Sequence, residues 1–423
     1  MKLAVIGGGS TYTPELVDGL CRLREAFPVD ELSLVDPDVE RSGRVAAMSR
    51  RMVEHAGYAM GVTTTADPVR GVADAGAVLV QLRVGGQAAR RTDETFPHAC
   101  GCIGQETTGP GGLAKALRTV PLVLELAETV RRHASPDAWI VDFTNPVGIV
   151  TRALLGRGHR AVGLCNVAIG FQRRFAATLD VDPGRVRLDH VGLNHLTWER
   201  GVRVDGTDRL PDLLRDHLGT LAEEVELPPS LLAMMRAVPS YYLRYFYAHD
   251  EVLAEQLATP TTRADEVMAV EAELLHLYDD PSVLTKPDAL SRRGGAFYSE
   301  AAVDLLAALT SDAATELVVN VRNDGALPFL PDDHVVEIPA LVSRTGLSTT
   351  ESAARAPLPE DMAGLVGAVA GYERLALDAA LHGGIERVTR ALLAHPLVGQ
   401  YDKAERLADL LVSGNRDHLA WAR

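Results

Sequence analysis

A short apolar strand that runs directly into three consecutive glycines restricts the possible fold of this chain more than any other feature. Residues 2–6 read Lys-Leu-Ala-Val-Ile, the turn Gly7-Gly8-Gly9-Ser10-Thr11 follows at once, and Thr13-Pro14-Glu15 opens a helix. A strand, a glycine turn and a helix N-terminus in this order form a cradle for a pyrophosphate. The predicted nucleotide contacts are Gly7, Gly9, Ser10 and Thr11.

The next predicted strand, residues 31–36, ends on an acidic side chain. Asp36 stands where a carboxylate can hydrogen-bond to the adenosine ribose of NAD and repel the additional phosphate of NADP. Tyr12 occupies the third glycine position of the usual fingerprint, so the glycine turn alone also fits a tight turn in another kind of α/β domain. The acidic strand end favours NAD binding.

Apolar runs alternate with helical patterns through the first part of the chain. The runs at 77–82, 138–143 and 160–164 are almost continuously apolar, as expected for strands buried on both faces of a parallel sheet. We therefore predict a Rossmann-like, doubly wound parallel α/β sheet of the dehydrogenase type over residues 1–168. Residues 169–423 are predicted to form a second, α+β domain for substrate, metal and subunit contacts, with one long helix over 362–390.

Length and charge restrict the function further. With 423 residues the chain is long enough for two domains, and its net charge of −15 argues against a general nucleic-acid binder or adhesion to an anionic membrane. No basic, apolar signal sequence opens the chain, and no apolar stretch reaches the ~18 residues that span a bilayer. We expect a cytoplasmic protein whose four cysteines form no disulfide framework.

Two polar turns, 30 positions apart, carry possible metal ligands. Cys165 follows the apolar run at 160–164, His195 follows another at 186–191, and each lies beside an asparagine, Asn166 or Asn194. A thiolate with an imidazole suggests Zn²⁺ or Fe, and two protein ligands leave coordination positions open for a substrate oxygen. A rival cluster, His98, Cys100 and Cys102, fits an ordinary loop better than a metal site.

Three further segments have compositions suited to chemistry. The loop 104–112 combines glycines and hydroxyls with the carboxylate of Glu106, and loops of this kind often carry function. The segment 239–247 is rich in tyrosine, and a tyrosine beside a cation can act as a general base. Arg293 and the glycines that follow it could hold a phosphate, or could form a plain surface turn.

Taken together, these segments resemble glycoside hydrolase family four, the NAD- and metal-dependent glycosidases. The resemblance runs nearly from end to end, and the loop 104–112 is its most specific part. Asn166, directly after the cysteine, is similar to the 6-phospho-β-glucosidase branch of that family. Ala168 and Phe246 depart from the common pattern, which leaves open a uronide or an unphosphorylated glycoside as the substrate.

The resemblance implies an unusual hydrolysis with NAD and Mn²⁺ as cofactors. A hydride leaves C3 of the sugar for NAD, the resulting ketone acidifies C2, and a base removes the C2 proton. The leaving group at C1 is eliminated, water adds, and the hydride returns, so NAD is not consumed. The alternatives are an NAD-dependent dehydrogenase of a hydroxy acid or sugar acid, and a nucleotide-sensing protein without enzymatic activity.

The resemblance also implies a role for particular residues. Cys165 and His195 would bind Mn²⁺, and Tyr242 would be the C2 base, with Tyr241 as the neighbouring rival. Sugar hydroxyls or the metal shell would contact Glu106, Asn145, Asn166 and Asn194. Arg90 and Arg293 would bind the 6-phosphate, and the chain would form a homodimer or homotetramer.

Overall fold

The computed structural model describes residues 1–295, 297–350 and 357–423. Six parallel strands form one side of a large sheet, from its edge strand β3 inward, in the order β3-β2-β1-β4-β5-β6, the order of a doubly wound dinucleotide-binding fold. Their ranges are β1 (Lys2–Ile6), β2 (Glu31–Val35), β3 (Gly61–Thr65), β4 (Ala77–Val80), β5 (Trp139–Asp142) and β6 (Ala161–Gly163).

Seven helices connect these strands and follow them. Because helices cover the sheet, β1, β4, β5 and β6 are almost wholly buried. The predicted helix at 116–133 begins earlier, at Gly109, and includes Pro121. The helices are α1 (Thr13–Arg22), α2 (Val39–His55), α3 (Pro68–Val72), α4 (Gly86–Thr95), α5 (Gly109–His133), α6 (Val147–Gly156) and α7 (Val167–Thr178).

A second, smaller sheet begins with a tight antiparallel hairpin. Strands β7 (Val186–Leu193) and β8 (Leu196–Val204) are joined by the two residues Asn194 and His195, and β8 also pairs with β9 (Thr207–Asp208) and β10 (Val238–Pro239). Three helices lie between β9 and β10: α8 (Leu210–Asp216), α9 (Leu218–Val225) and α10 (Pro229–Met235). Four more follow β10: α11 (Arg244–Tyr247), α12 (His249–Ala258), α13 (Arg263–Asp279) and α14 (Tyr298–Thr310).

The chain then returns to the large sheet. Strand β11 (Thr315–Arg322) pairs antiparallel with β6 through Asn320 and Gly163, and β12 (Val335–Ser343) and β13 (Gly346–Thr349) complete nine strands. The large sheet is thus mixed, with a parallel side and an antiparallel side, the second of which comes from beyond residue 168. The division of the chain at residue 168 remains a prediction.

The C-terminal part of the chain is helical, with α15 (Glu360–His382), α16 (Ile385–Ala394) and α17 (Tyr401–Gly414). The prediction of one helix over 362–390 was wrong. Gly383 and Gly384 both adopt positive φ, which ends α15 and lets α16 start in a new direction. Within the described ranges, no helix is both long and apolar enough to cross a bilayer.

Candidate active site

The glycine turn follows β1 at the carboxyl edge of the large sheet. Gly7 has a φ of +86°, and a Cβ added there would lie 2.5 Å from the carbonyl oxygen of Gln81. A Cβ on Gly8 would meet Leu34 at 2.7 Å, so the turn lies directly against β2. This close packing leads the backbone into the N-terminus of α1, the geometry that accepts a dinucleotide pyrophosphate.

Asp36 lies immediately after β2 and faces the same turn. Its carboxylate accepts hydrogen bonds from the backbone N–H of Gly9 at 2.9 Å and from that of Asp38 at 3.0 Å. These two bonds orient the carboxylate beside the glycine turn, where an adenosine ribose would lie. The residues present therefore fit NAD, with Asp36 available for the ribose hydroxyls.

The two predicted metal ligands come from different sheets. Cys165 follows β6 at the carboxyl edge of the large sheet, whereas His195 lies in the turn between β7 and β8. His195 has a φ of +64°, a left-handed conformation that is uncommon for a residue with a side chain. The hairpin turn thus holds the backbone of His195 in an uncommon conformation, and such conformations are frequent at functional positions.

The polar loop before α5 determines which ring nitrogen of His195 is free. Thr107 Oγ1 lies 2.9 Å from His195 Nδ1 and donates its own proton to Gln105 Oε1 at 2.9 Å. Because the hydroxyl proton is already used, Thr107 accepts from the Nδ1–H of His195. The lone pair then lies on Nε2, in the tautomer that binds a metal while the other nitrogen donates to a supporting group.

Burial controls the protonation of both proposed ligands. Burial lowers the pKa of His195 to about 4, so the imidazole is neutral and able to ligate at neutral pH. Burial also raises the pKa of the Cys165 thiol well above its usual range, and the negative charge of Glu337 adds to this. A divalent cation at the sulfur would reverse that balance and favour the thiolate.

Two of the three predicted asparagines adjoin this pair in the chain, and the third, Asn145, lies at the end of the strand next to β6. Asn145 follows β5, and its side-chain oxygen is buried without a hydrogen-bond partner in the described part of the protein. Asn194 donates to Glu337 Oε2 at 2.7 Å and also hydrogen-bonds to Cys165, while Asn166 precedes α7. The free Nε2 of His195 and the unsatisfied Asn145 oxygen are the features expected around an incomplete metal site.

Among the described residues, no group of three or more His, Cys, Asp or Glu side chains is arranged to hold a metal ion. The two proposed ligands would leave positions open to substrate oxygens. The residues of the rival cluster form no metal-binding group of three within the described ranges. Phe96–Cys100 is a short 3₁₀ helix, His98 pairs with Gln256 at 3.1 Å, and Cys102 is fully buried.

The geometry distinguishes the two candidate tyrosines. The ring of Tyr242 stacks on His195 with 3.6 Å between centroids and 6° between planes, whereas Tyr241 is 37% exposed and its hydroxyl accepts from Arg244 at 2.8 Å. Burial, helped by the charge of Cys165, raises the pKa of Tyr242 well above its usual range. Tyr242 is therefore the tyrosine beside the proposed metal ligands, and it needs nearby positive charge to act as a base.

Glu106 lies at the centre of a buried group of cations. Lys115 donates to Glu106 Oε2 at 2.7 Å, Arg90 Nε lies 3.3 Å from Oε1, and Arg83 forms a third ion pair. Burial alone would raise the pKa of Glu106, but these three cations hold it well below its usual value. Arg90 also pairs with Glu94 at 2.7 Å, so three cations face two carboxylates and this side of the site keeps a net positive charge.

Arg293 belongs to a neighbouring ion-pair group. Its Nη2 lies 3.1 Å from Glu271 Oε1, and Arg41 lies 3.2 Å from the other oxygen of the same carboxylate. Burial lowers the pKa of Arg293, and the nearby charges of Arg83 and Arg90 lower it further. The two arginines proposed for the phosphate thus influence each other through space, and Arg293 has a buried Nε without a partner within the described ranges.

Several residues of this site carry only a weak signal in the sequence. Lys115 stands alone in the apolar start of α5, and Glu337 stands alone among the apolar residues of β12. A single charged residue inside an apolar run is a signal for a buried ion pair, because an unpaired buried charge is too costly. Thr107 was within the highlighted loop, but nothing in the sequence connects it with His195.

The fold belongs to the class found in NAD-dependent dehydrogenases. A malate dehydrogenase from Salinibacter ruber shares this fold with a TM-score of 0.53 and 18% identity, covering 90% of this chain and 97% of that one. The sequence model for family 4 glycosyl hydrolases matches residues 2–181, and that for the C-terminal domain of the family matches 190–398. The chain belongs to glycoside hydrolase family four.

The chain is similar to 6-phospho-β-glucosidases over its whole length. A probable 6-phospho-β-glucosidase of Bacillus subtilis is 38% identical over 99% of this chain and 97% of its own length. The 6-phospho-β-glucosidase of Thermotoga maritima, solved with NAD and glucose-6-phosphate, has a TM-score of 0.92 and 35% identity, with 99% of both chains covered. Another structure of that enzyme holds manganese, NAD⁺ and glucose-6-phosphate, with a TM-score of 0.90, 34% identity and 99% of both chains covered.

Proposed function

We propose that the protein hydrolyses 6-phospho-β-glucosides with NAD and Mn²⁺ as cofactors. The observation that carries this proposal is the stacking of Tyr242 on His195, whose free Nε2 shares the site with the Cys165 sulfur. This arrangement combines two metal ligands and a proton acceptor at the carboxyl edge of a nucleotide-binding sheet. The similarity to enzymes named 6-phospho-β-glucosidases supports the same function.

The chain's own residues would hold the sugar and move one proton. Bound NAD supplies a hydride acceptor and donor for C3, and bound Mn²⁺ supplies positive charge at O2 and O3. Tyr242 would remove the C2 proton, and the stack on His195 would hold its phenol close to the metal ligands. Elimination at C1 then requires no carboxylate nucleophile, unlike the usual two-carboxylate mechanism.

The 6-phosphate would bind at the positive side of the site. Arg90 and Arg293 are the proposed contacts, and the excess positive charge around Glu106 supports this assignment. An arginine can bind phosphate with two parallel hydrogen bonds, which gives orientation as well as affinity. Asn166 beside Cys165 supports a β-glycoside, and a sugar phosphate, which does not cross a bilayer unaided, supports a cytoplasmic location.

One experiment tests the reaction as a whole. The protein is incubated with NAD⁺, Mn²⁺ and p-nitrophenyl-β-glucoside-6-phosphate in D₂O. We expect nitrophenol release without net NADH and deuterium at C2 of the released sugar. Net NADH without cleavage would favour a dehydrogenase and refute the proposal, and turnover of only the unphosphorylated or the α-linked substrate would refute the corresponding part of it.

A pair of cysteine variants tests the metal ligands. Cys165→Ser should abolish Mn²⁺ binding in isothermal titration while leaving NAD binding unchanged, because the serine hydroxyl is a poor ligand for the metal at this position. Cys102→Ser, at a fully buried cysteine of the rival cluster, is the matched control and should bind Mn²⁺ normally. Loss of Mn²⁺ binding in the control but not in Cys165→Ser would move the site to the rival cluster.

A further inference from the structure

One carboxylate joins the two sheets that supply the proposed metal ligands. Glu337, on β12 of the large sheet, accepts from His190 Nε2 at 3.1 Å and from Asn194 Nδ2 at 2.7 Å, and both of these donors lie on or beside β7 of the small sheet. Asn320, its cross-strand neighbour on β11, donates to the same oxygen as Asn194 at 2.8 Å. Glu337 therefore accepts three hydrogen bonds while only 1% exposed.

The hydrogen-bond partners of Glu337 connect it with both proposed metal ligands. Asn194 directly precedes His195 in the hairpin turn, and its amide also hydrogen-bonds to the Cys165 sulfur. On the other side, Asn320 pairs across the sheet with Gly163, two residues before Cys165. The distance between the sulfur and the imidazole thus depends on how Glu337 holds the hairpin against the large sheet.

His190, the third hydrogen-bond partner of Glu337, is also buried and charged. His190 Nδ1 lies 2.6 Å from Glu199 Oε1, and both residues are completely buried. Burial alone lowers the pKa of His190, but the carboxylates of Glu199 and Glu337 outweigh it and raise the pKa to about 10. The imidazole therefore donates from both nitrogens, to Glu199 and to Glu337, and these two hydrogen bonds fix the orientation of its ring and of the Glu337 carboxylate.

We propose that Glu337 is a positioning residue for the metal site, which holds the β7–β8 hairpin so that Cys165 and His195 face one cation. This inference rests on the proposed metal ligands, Cys165 and His195. Among the described residues Glu337 forms no hydrogen bond with either ligand, and the hydrogen bonds that connect it with them pass through Asn194. Groups that orient metal ligands typically change metal affinity by about 10- to 100-fold when they are removed.

Glu337→Gln is the test, since it keeps the size of the side chain and removes its charge. A glutamine has one acceptor oxygen for Asn194 and Asn320, and its NH₂ group can pair with His190 Nε2 only if that nitrogen gives up its proton. The variant therefore removes the charged pair of His190 and Glu337 that holds the hairpin against the large sheet. We expect Mn²⁺ affinity, measured by titration without sugar, to fall about 10-fold or more while NAD affinity is unchanged. Glu373→Gln is the matched control, because Glu373 is a buried carboxylate that pairs with His334 at 3.0 Å without contacting Asn194 through any described hydrogen bond.

A second measurement separates positioning from loss of structure. With Co²⁺ in place of Mn²⁺, the sulfur-to-cobalt charge-transfer band reports on the Cys165 thiolate. A change in the position or surroundings of the thiolate alters the energy of the sulfur lone pair, so the wavelength of the band should change in Glu337→Gln and stay the same in Glu373→Gln. If Glu337→Gln does not fold, Glu199→Gln replaces it, with a smaller loss of Mn²⁺ affinity expected.

The outcomes are distinct. A folded Glu337→Gln variant, or in its place Glu199→Gln, that binds Mn²⁺ as tightly as the unmodified protein would overturn this inference. An equal loss in Glu373→Gln would also overturn it, by assigning the effect to general destabilisation. If Cys165→Ser binds Mn²⁺ normally, the proposed metal site itself fails, and this result is independent of the Glu337 variants.

Discussion

Asp142, at the end of β5, offers a sharp test of the electrostatics of the strand ends. Its carboxyl is completely buried, accepts from the Thr144 N–H at 2.8 Å and lies 3.3 Å from the Thr151 hydroxyl. Burial raises its pKa from 3.8 to about 8, and these hydrogen bonds offset the effect only in part. The folded protein therefore holds Asp142 protonated at neutral pH, directly before the segment that carries Asn145.

The size of the effect follows from proton linkage. Between the unfolded pKa of 3.8 and the folded pKa of about 8, the folded state binds one more proton than the unfolded state. The free energy of unfolding therefore falls by about 1.4 kcal/mol for each unit by which the pH rises between these two pKa values. The stability that the protonated Asp142 provides is present in full below the unfolded pKa and is lost as pH rises through the folded pKa. Asp142→Asn mimics the protonated acid and does not titrate, so it avoids this loss.

Urea unfolding of the metal-free protein at about pH 5, 6 and 7 measures the difference. Relative to the unmodified protein, Asp142→Asn should gain about 3 kcal/mol of stability between the first and last of these conditions. The control is Asp137→Asn, at an exposed side chain just before β5, whose stability difference should be the same at every pH. A difference for Asp142→Asn that stays constant within about 0.5 kcal/mol across the series would refute a buried, protonated Asp142.

Three further variants test the site. Tyr242→Phe keeps the stack on His195, so kcat should fall at least about 100-fold while Mn²⁺ affinity in titrations stays within about twofold; near-normal kcat would remove Tyr242 as the base. Glu106→Gln leaves three cations without their shared carboxylate, so urea unfolding should show a loss of about 3–5 kcal/mol; a loss under about 1 kcal/mol would contradict the ion-pair account. Asp36→Ala should weaken NAD binding about tenfold in calorimetry and NADP binding less; an equal loss for both would contradict a ribose contact.

Local sequence patterns predicted the parallel part of the large sheet and indicated most residues of the proposed site. The order of buried strands, the glycine turn and the acidic end of β2 each depend on neighbours in sequence, and the six parallel strands confirm the predicted Rossmann-like sheet. Cys165, His195 and the asparagines stood out because each follows a strand-like run. The family resemblance, confirmed by the family models over most of the chain, supplied the roles proposed for them.

The tertiary structure decided how these residues are held. Thr107 and His195 are 88 positions apart, and Asn194 and Glu337 are 143 apart. No local periodicity records a contact over such distances, because the partners belong to different elements of the fold. The sequence determined which residue types lie at the strand ends, whereas the packing of the small sheet on the large one decided the tautomer of His195 and the partner of Asn194. These are contacts between elements, and their geometry depends on the complete fold.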